Sequence, residues 1–241
     1  WPKLLLFFNV VNTIISIIIP SYNEGRTILT ILEKVNKQRK DNIKLEVIVI
    51  NDGSIDKTDE IIKKNMQYVD IYISLDKNQG KGAAVKKGLE VASGEYILFQ
   101  DADLEYDPKD FDKFYKLILK SSPDIVIGSR FQGSEFTKVM YFWNKIGNRL
   151  LTFIFNILYN TTFTDVYSCY LLYKRELVDF KKLKQSGWDQ HGEILGTAVK
   201  NGSKFYEVSI SYDGRTFSDG KKIRARHFFK VVFTILKKRL I

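Results

Sequence analysis

Three runs of branched and aromatic apolar residues each break off into a polar cluster, and this pattern leaves few folds open. Ile14 to Ile19 (IISIII) stops at Pro20 and continues as SYNE, Leu45 to Ile50 (LEVIVI) continues as NDGS, and Tyr96 to Phe99 (YILF) continues as QDAD. Short runs that are apolar at nearly every position, here interrupted only by Ser16 and Glu46, read as strands buried on both faces. Between and after them the spacing turns helical. Glu24 to Lys40 carries Ile28, Ile31, Leu32 and Val35, and a helix with Ile61 and Ile62 has Ser54 as its expected cap. A short strand is predicted over Ile71 to Leu75, a helix over Gly82 to Ala92, a helix over Asp110 to Lys120, and a strand over Ile125 to Ile127. Strands alternating with helices predict an α/β protein with a doubly wound, mostly parallel sheet and helices on both faces. In such a sheet ligands bind at the carboxyl ends of the strands, so Tyr22 to Glu24, Asp52 and Asp101 to Asp103 are expected to meet in one crevice.

Several ligand classes lose support at the same positions. The first strand is followed by Pro20-Ser21-Tyr22-Asn23-Glu24-Gly25, without the glycines that let a backbone approach a dinucleotide, and Gly80-Lys81-Gly82 lacks the spacing of a P-loop. Cys169 is the single cysteine, which excludes an intrachain disulfide and a thiolate cage and makes a reducing compartment the expectation. His191 and His227 are too few for a zinc site, so oxygen ligands, and hence Mg²⁺ or Mn²⁺, are expected for any metal. Asp101 and Asp103, two apart after a buried strand, are carboxylates of the kind that share such a cation with a phosphate.

Residues 1–12 are set aside as an extension of uncertain character, 13–220 are taken as the catalytic domain, and 221–241 as a basic segment. Leu4 to Ile19 is interrupted by Asn9, Asn12, Thr13 and Ser16, too often for a membrane span, and no signal-peptide cleavage pattern follows it. From Lys138 to Thr164 there is no acid and the aromatics crowd together; Leu150 to Tyr159 reads either as a core helix under the sheet or as a surface that meets lipid. The net charge of +10 is concentrated at the end of the chain. Residues 221–241 hold eight basic side chains and no acid, whereas the first 220 residues carry 30 basic against 28 acidic. On a helix, Lys222, Arg226, Lys230 and Lys237 would share one face and Phe228, Phe229, Val232 and Ile235 the other, as in an amphipathic C-terminal segment lying on an anionic membrane surface. The acidic strand ends would repel a phosphate backbone, so no nucleic acid is expected as a partner.

Five ordered motifs then narrow the reading: IIIPSYNE (Ile17 to Glu24), VIVINDGSIDKT (Val47 to Thr58), NQGKGAAVKKGL (Asn78 to Leu89), GEYILFQDADLEYDP (Gly94 to Pro108) and IGSRF (Ile127 to Phe131). With them the chain resembles the family 2 glycosyltransferases of the GT-A fold. TDVYSCYLLYKRE (Thr164 to Glu176) and EVSISYDGRTFSDGKKI (Glu207 to Ile223) are similar to segments of polyprenyl- and dolichyl-phosphate sugar synthases.

The resemblance implies an inverting, metal-dependent hexosyltransferase that uses a UDP- or GDP-sugar. Its acceptor would be a polyprenyl or dolichyl phosphate at the cytoplasmic face of a membrane, or alternatively a sugar hydroxyl of a growing surface glycan. It implies Pro20, Tyr22, Glu24, Asp52, Lys81 and Asp101 as nucleotide-sugar-binding residues, and Asp101 and Asp103 as metal ligands. Glu105 joins them where the lipid-phosphate enzymes often carry Gln. Asp103, Arg130 and Asp189 are the catalytic candidates, Asp189 or Glu193 being the available base if a hydroxyl has to be deprotonated. Arg130, Asp165, Arg215, Lys221 and Lys222 are the candidate acceptor-binding residues, the cations to hold a phosphate and Asp165 to position the acceptor loop.

Overall fold

The computed structural model describes residues 13–133, 138–139, 141–215 and 226–240. Seven strands form one sheet in the order β3-β2-β1-β4-β6-β5-β7. The strands are β1 (Thr13–Ser21), β2 (Ile43–Asn51), β3 (Ile71–Ser74), β4 (Tyr96–Phe99), β5 (Ile125–Ser129), β6 (Leu171–Lys174) and β7 (Phe205–Ser209). Only β6 runs against its neighbours, pairing antiparallel with both β4 and β5. The predicted strands are present; the isoleucines and valines of β2 and β5, and those of β1 from Ile15 on, are buried, while Ile71 and Ile73 of the edge strand β3 are half-buried. The helices α1 (Ile28–Asn36), α2 (Thr58–Lys64), α3 (Lys81–Val91), α4 (Phe111–Ser121), α5 (Phe142–Tyr159), α6 (Gln190–Asn201) and α7 (Arg226–Leu240) complete the order.

Three local expectations are corrected. The first helix is shorter than Glu24 to Lys40, because residues 22–27 turn on themselves and the N–H groups of Thr27 and Ile28 bond the Glu24 carbonyl. Ser54 does not cap α2; its hydroxyl accepts the main-chain N–H of Asn23 and ties the turn after β1 to the turn after β2. The helix over Leu150 to Tyr159 begins eight residues earlier and is neither fully buried nor fully exposed. Leu151, Thr152 and Phe155 face the core while Leu150, Phe153 and Ile157 face outward.

The C-terminal helix also departs from its expected pose. Lys221 and Lys222 lie outside the described residues, and so does the side chain of Arg226. Along α7, Val231, Thr234 and Ile235 are buried, and two of its cations reach acids of α6 and of the turn before it. Lys238 pairs with Glu193 at 2.9 Å, and Lys230 pairs with Asp189 at 3.3 Å. Both carboxylates are fully buried and help to hold α7 against the domain, while Lys230 and Lys237, the members of the expected cationic face whose side chains are described, stay exposed. Phe229 and Phe233, by contrast, are exposed. Among the described residues no helix is long and apolar enough to cross a membrane.

Candidate active site

Parallel pairing brings three strand ends side by side. Ser21 is opposite Asn51 in the β1–β2 register, the N–H of Asp52 donates to the Ser21 carbonyl at 2.8 Å, and the N–H of Gln100 donates to the Ile18 carbonyl at 3.0 Å. The turn after β2 needs Gly53, whose φ is 65° and where a Cβ would lie 2.4 Å from the carbonyl carbon of Lys77. That close approach lets the Asp52 carboxylate accept the main-chain N–H groups of Gln79 (2.8 Å) and Gly80 (2.9 Å) just ahead of α3. Asp52 is buried, and burial pushes its carboxyl up in spite of these bonds. Its role here is to position Lys81 at the first turn of α3.

The Asp101-Ala102-Asp103 turn is held from below. The Gln100 side chain donates to the Asp101 carbonyl at 2.9 Å and accepts the Tyr170 hydroxyl at 2.7 Å, and Leu104 takes a left-handed φ of 64°. A branched side chain in that region is strained, and such strain collects where a turn has to aim functional groups. Lys81 closes on Asp101 at 2.5 Å while stacking its ammonium over the Trp188 ring, 5.4 Å from the centroid. Burial alone would raise the Asp101 carboxyl, but the Lys81 ammonium outweighs it and Asp101 is held ionised. Asp103 has no such partner. Burial, then the negative charges of Asp101 and Glu105, push it up to about 7.

This surplus of carboxylates is the observation that tests the metal expectation. No three His, Cys, Asp or Glu side chains among the described residues meet as a complete metal cage. Two hard oxygen donors beside an under-compensated negative charge do fit a Mg²⁺ or Mn²⁺ that takes its remaining ligands from water and a diphosphate. Glu105 leaves that set, as a correction to the expectation. Its carboxylate accepts the Tyr212 hydroxyl (2.7 Å) and the main-chain N–H of Arg215 (2.9 Å), and so anchors the segment after β7.

Arg215 enters the crevice from that segment. Its guanidinium pairs with Glu24 at 2.7 Å and donates to the main-chain carbonyl of Asp103 at 3.0 Å, so Glu24, Arg215 and Asp103 converge as predicted residues should. Pro20 is the last residue but one of β1, and Tyr22, just after the strand, is half-buried.

Arg130, in contrast, is spent on structure. Its Nε and Nη2 grip the two oxygens of the fully buried Asp165 at 2.7 and 2.8 Å, and Nη2 also reaches the Tyr167 carbonyl. Arg130 was expected to hold the acceptor and Asp165 to position the acceptor loop; the fork that would bind a phosphate is already closed on the Asp165 carboxylate. Asp189, the third catalytic candidate, is 1% exposed, accepts the Thr234 hydroxyl and pairs with the Lys230 ammonium at 3.3 Å, and this burial closes it off as a base open to solvent. A depression of about 570 Å³, lined by Lys34, Asp107, Lys113 and Tyr212 among others, lies to one side and shares only Glu105 with the predicted residues.

His191, which the sequence reading used only to argue against zinc, lies against Tyr167 and hydrogen-bonds the Val166 carbonyl at 3.1 Å. Burial, with the Lys81 charge nearby, lowers its pKa to about 4. A histidine depressed on folding contributes stability that is fully present above its unfolded value of about 6.5 and is lost as pH falls towards 4. Replacing His191 with Gln should therefore flatten the acid side of the stability curve. The difference between the two proteins, measured by urea unfolding, should change by up to about 3 kcal/mol between pH 7 and pH 4, with wild type losing more.

With this geometry in view, comparisons with known proteins agree on one family. The glycosyl transferase family 2 model matches residues 16–180. The uncharacterized protein MJ1222 of Methanocaldococcus jannaschii is 30% identical over 231 residues, covering 94% of this chain and 92% of its own. The low-salt glycan biosynthesis hexosyltransferase Agl6 of Haloferax volcanii is 27% identical over 202 residues, or 83% of this chain and 48% of Agl6. The crystal structure of glucosyl-3-phosphoglycerate synthase from Mycobacterium tuberculosis with Mn²⁺, UDP and phosphoglyceric acid superposes with a TM-score of 0.70 at 18% identity, over 95% of this chain and 79% of that one. At that identity the likeness speaks for a shared GT-A fold.

Proposed function

Since the chain belongs to glycosyl transferase family 2, we propose that it moves a hexosyl group from a UDP- or GDP-sugar to a polyprenyl phosphate at the cytoplasmic face of a membrane. The observation that carries the choice of acceptor is the state of the acids in the second half. Asp165 is closed on Arg130, Asp189 on Lys230, and Glu193 on Lys238 and the N–H groups of Lys184 and Gln185. A hydroxyl acceptor needs a base to take its proton, and none of these is available to it. A phosphate monoester is already ionised near neutral pH and attacks without one.

In that reaction a phosphate oxygen bonds to the anomeric carbon as the bond to the donor diphosphate breaks, and the electron pair leaves with the nucleoside diphosphate. Asp103, with Asp101 behind it, is where a divalent cation would be held, and there it would supply neutralisation of the charge on the departing diphosphate. Lys81 keeps Asp101 ionised and in place. Arg215 guards Glu24 until a nucleoside takes the carboxylate; released, its guanidinium is a fork of the right shape for phosphate. Tyr22, beside Glu24, offers an aromatic face to the base.

Donor binding is tested by thermal shift with UDP or GDP, with and without Mn²⁺. A nucleotide present at a hundred times its Kd stabilises the fold by about 2.7 kcal/mol, and the stabilisation should require the metal. Acceptor choice is tested with radiolabelled donor, vesicles and polyprenyl phosphate. Label should enter the organic phase; label found only in water-soluble oligosaccharide would return the acceptor to a glycan hydroxyl.

A further inference from the structure

Most of the large apolar side chains exposed on the described surface belong to two helices. On α5 these are Phe142, Trp143, Ile146, Leu150, Phe153 and Ile157, at three- and four-residue intervals after the first pair. On α7 they are Phe229, Phe233, Leu236 and Leu240, spaced in the same way. A stripe with that spacing is the face a helix normally buries. Here each helix already buries a different face, through Leu151 and Phe155 on α5 and through Val231 and Ile235 on α7, so the outward stripes are additional to the core.

The two helices also touch. The Tyr159 hydroxyl donates to the Ile235 carbonyl at 3.2 Å, and Arg239 Nε donates to the Leu158 carbonyl at 2.7 Å. Ile157 therefore flanks the contact on one side and Leu236 and Leu240 flank it on the other. Neither helix carries an acid, while Lys145, Arg149, Lys237 and Arg239 are all exposed.

We infer that the α5 and α7 stripes together form a docking surface for an anionic lipid bilayer. An apolar stripe edged by cations alone complements acyl chains beneath acidic head groups. A second copy of this chain fits less well, because a two-fold interface would bring each set of cations against its own image. The Arg149 guanidinium lies 6.0 Å from the ring of Phe131, so the α5 end of this surface reaches the segment that follows β5. The inference rests on the lipid-phosphate reading for its role and extends it by naming both helices, α5 as much as the basic C-terminal one.

The test is flotation of the full chain with vesicles of phosphatidylcholine alone or mixed with phosphatidylglycerol, in the absence of donor and acceptor. Binding should need the anionic lipid and weaken as salt is raised. Phe153→Ser with Ile157→Ser on α5, and Phe233→Ser with Leu236→Ser on α7, should each lower vesicle affinity about tenfold or more, the UDP and Mn²⁺ thermal shift being unchanged. Wild-type protein that ignores anionic vesicles, or an α5 variant that binds as wild type, would overturn the inference. So would a concentration-dependent dimer in vesicle-free solution that the same substitutions abolish. Vesicle binding lost in both variants, with label still confined to water-soluble oligosaccharide, would uphold the docking surface and reject only the lipid-phosphate acceptor.

Discussion

Asp103→Asn is expected to lower transfer by at least a hundredfold to a thousandfold while leaving the fold as stable as wild type or more so. The amide keeps the shape of the side chain and removes the negative charge that would hold a divalent cation against the donor diphosphate. The same charge is a liability in the metal-free protein, where burial, Asp101 and Glu105 push the carboxyl up to about 7. A carboxyl raised on folding costs stability as pH climbs from its unfolded value, near 4, through its folded one. The gain from Asp103→Asn should therefore be absent near pH 4 and grow towards pH 7, opposite in sign to the His191 effect over the same range. Urea unfolding in EDTA at several pH values, beside a transfer assay with Mn²⁺, reads both halves. Near-normal turnover in the variant would remove Asp103 from the metal site; a large loss of stability would show that its charge is compensated in the folded chain.

Arg130→Ala should have the largest effect on stability. It leaves the Asp165 carboxylate, at 0% exposure, with main-chain donors alone, and stranding a buried charge in this way costs about 3–5 kcal/mol. Removing the partner as well, in an Arg130→Ala/Asp165→Ala double variant, should return part of the loss, because the penalty comes from the uncompensated charge. Transfer should then fail in the single variant through unfolding, with a lowered Tm. Lost transfer at full stability would instead mean that Arg130 meets a phosphate directly.

These two residues also show why some of the site could be read along the chain and some could not. The strand-end turns were legible because each is local: an apolar run declares a buried strand, and the polar residues after it must emerge at the sheet edge. The Asp101-Ala102-Asp103 turn needed no more than that. Strands β6 and β7 went unpredicted because Leu171–Lys174 and Phe205–Ser209 are short, and what makes them strands is pairing with β4 and β5, whose residues lie far away in sequence. The side chains of Glu105, Arg130 and Asp189 are engaged within the chain for a related reason. Each is a charged side chain of suitable type whose partner turned out to be a main-chain N–H, a tyrosine hydroxyl, an aspartate or a lysine brought in from elsewhere in the chain.

By itself, then, the sequence determined the layered α/β fold, the family, and the strand ends where chemistry belongs, since hydrophobic periodicity and turn residues act over a few positions. Only the tertiary structure decided which charges remain for substrate. A carboxylate or a guanidinium has a limited set of hydrogen-bonding directions, and packing settles whether those are filled from within, as for Arg130 and Asp189, or left facing the crevice, as for Asp103. Packing likewise tied Lys230 and Lys238 of the basic C-terminal helix to Asp189 and Glu193, and left apolar stripes of α5 and α7 outside.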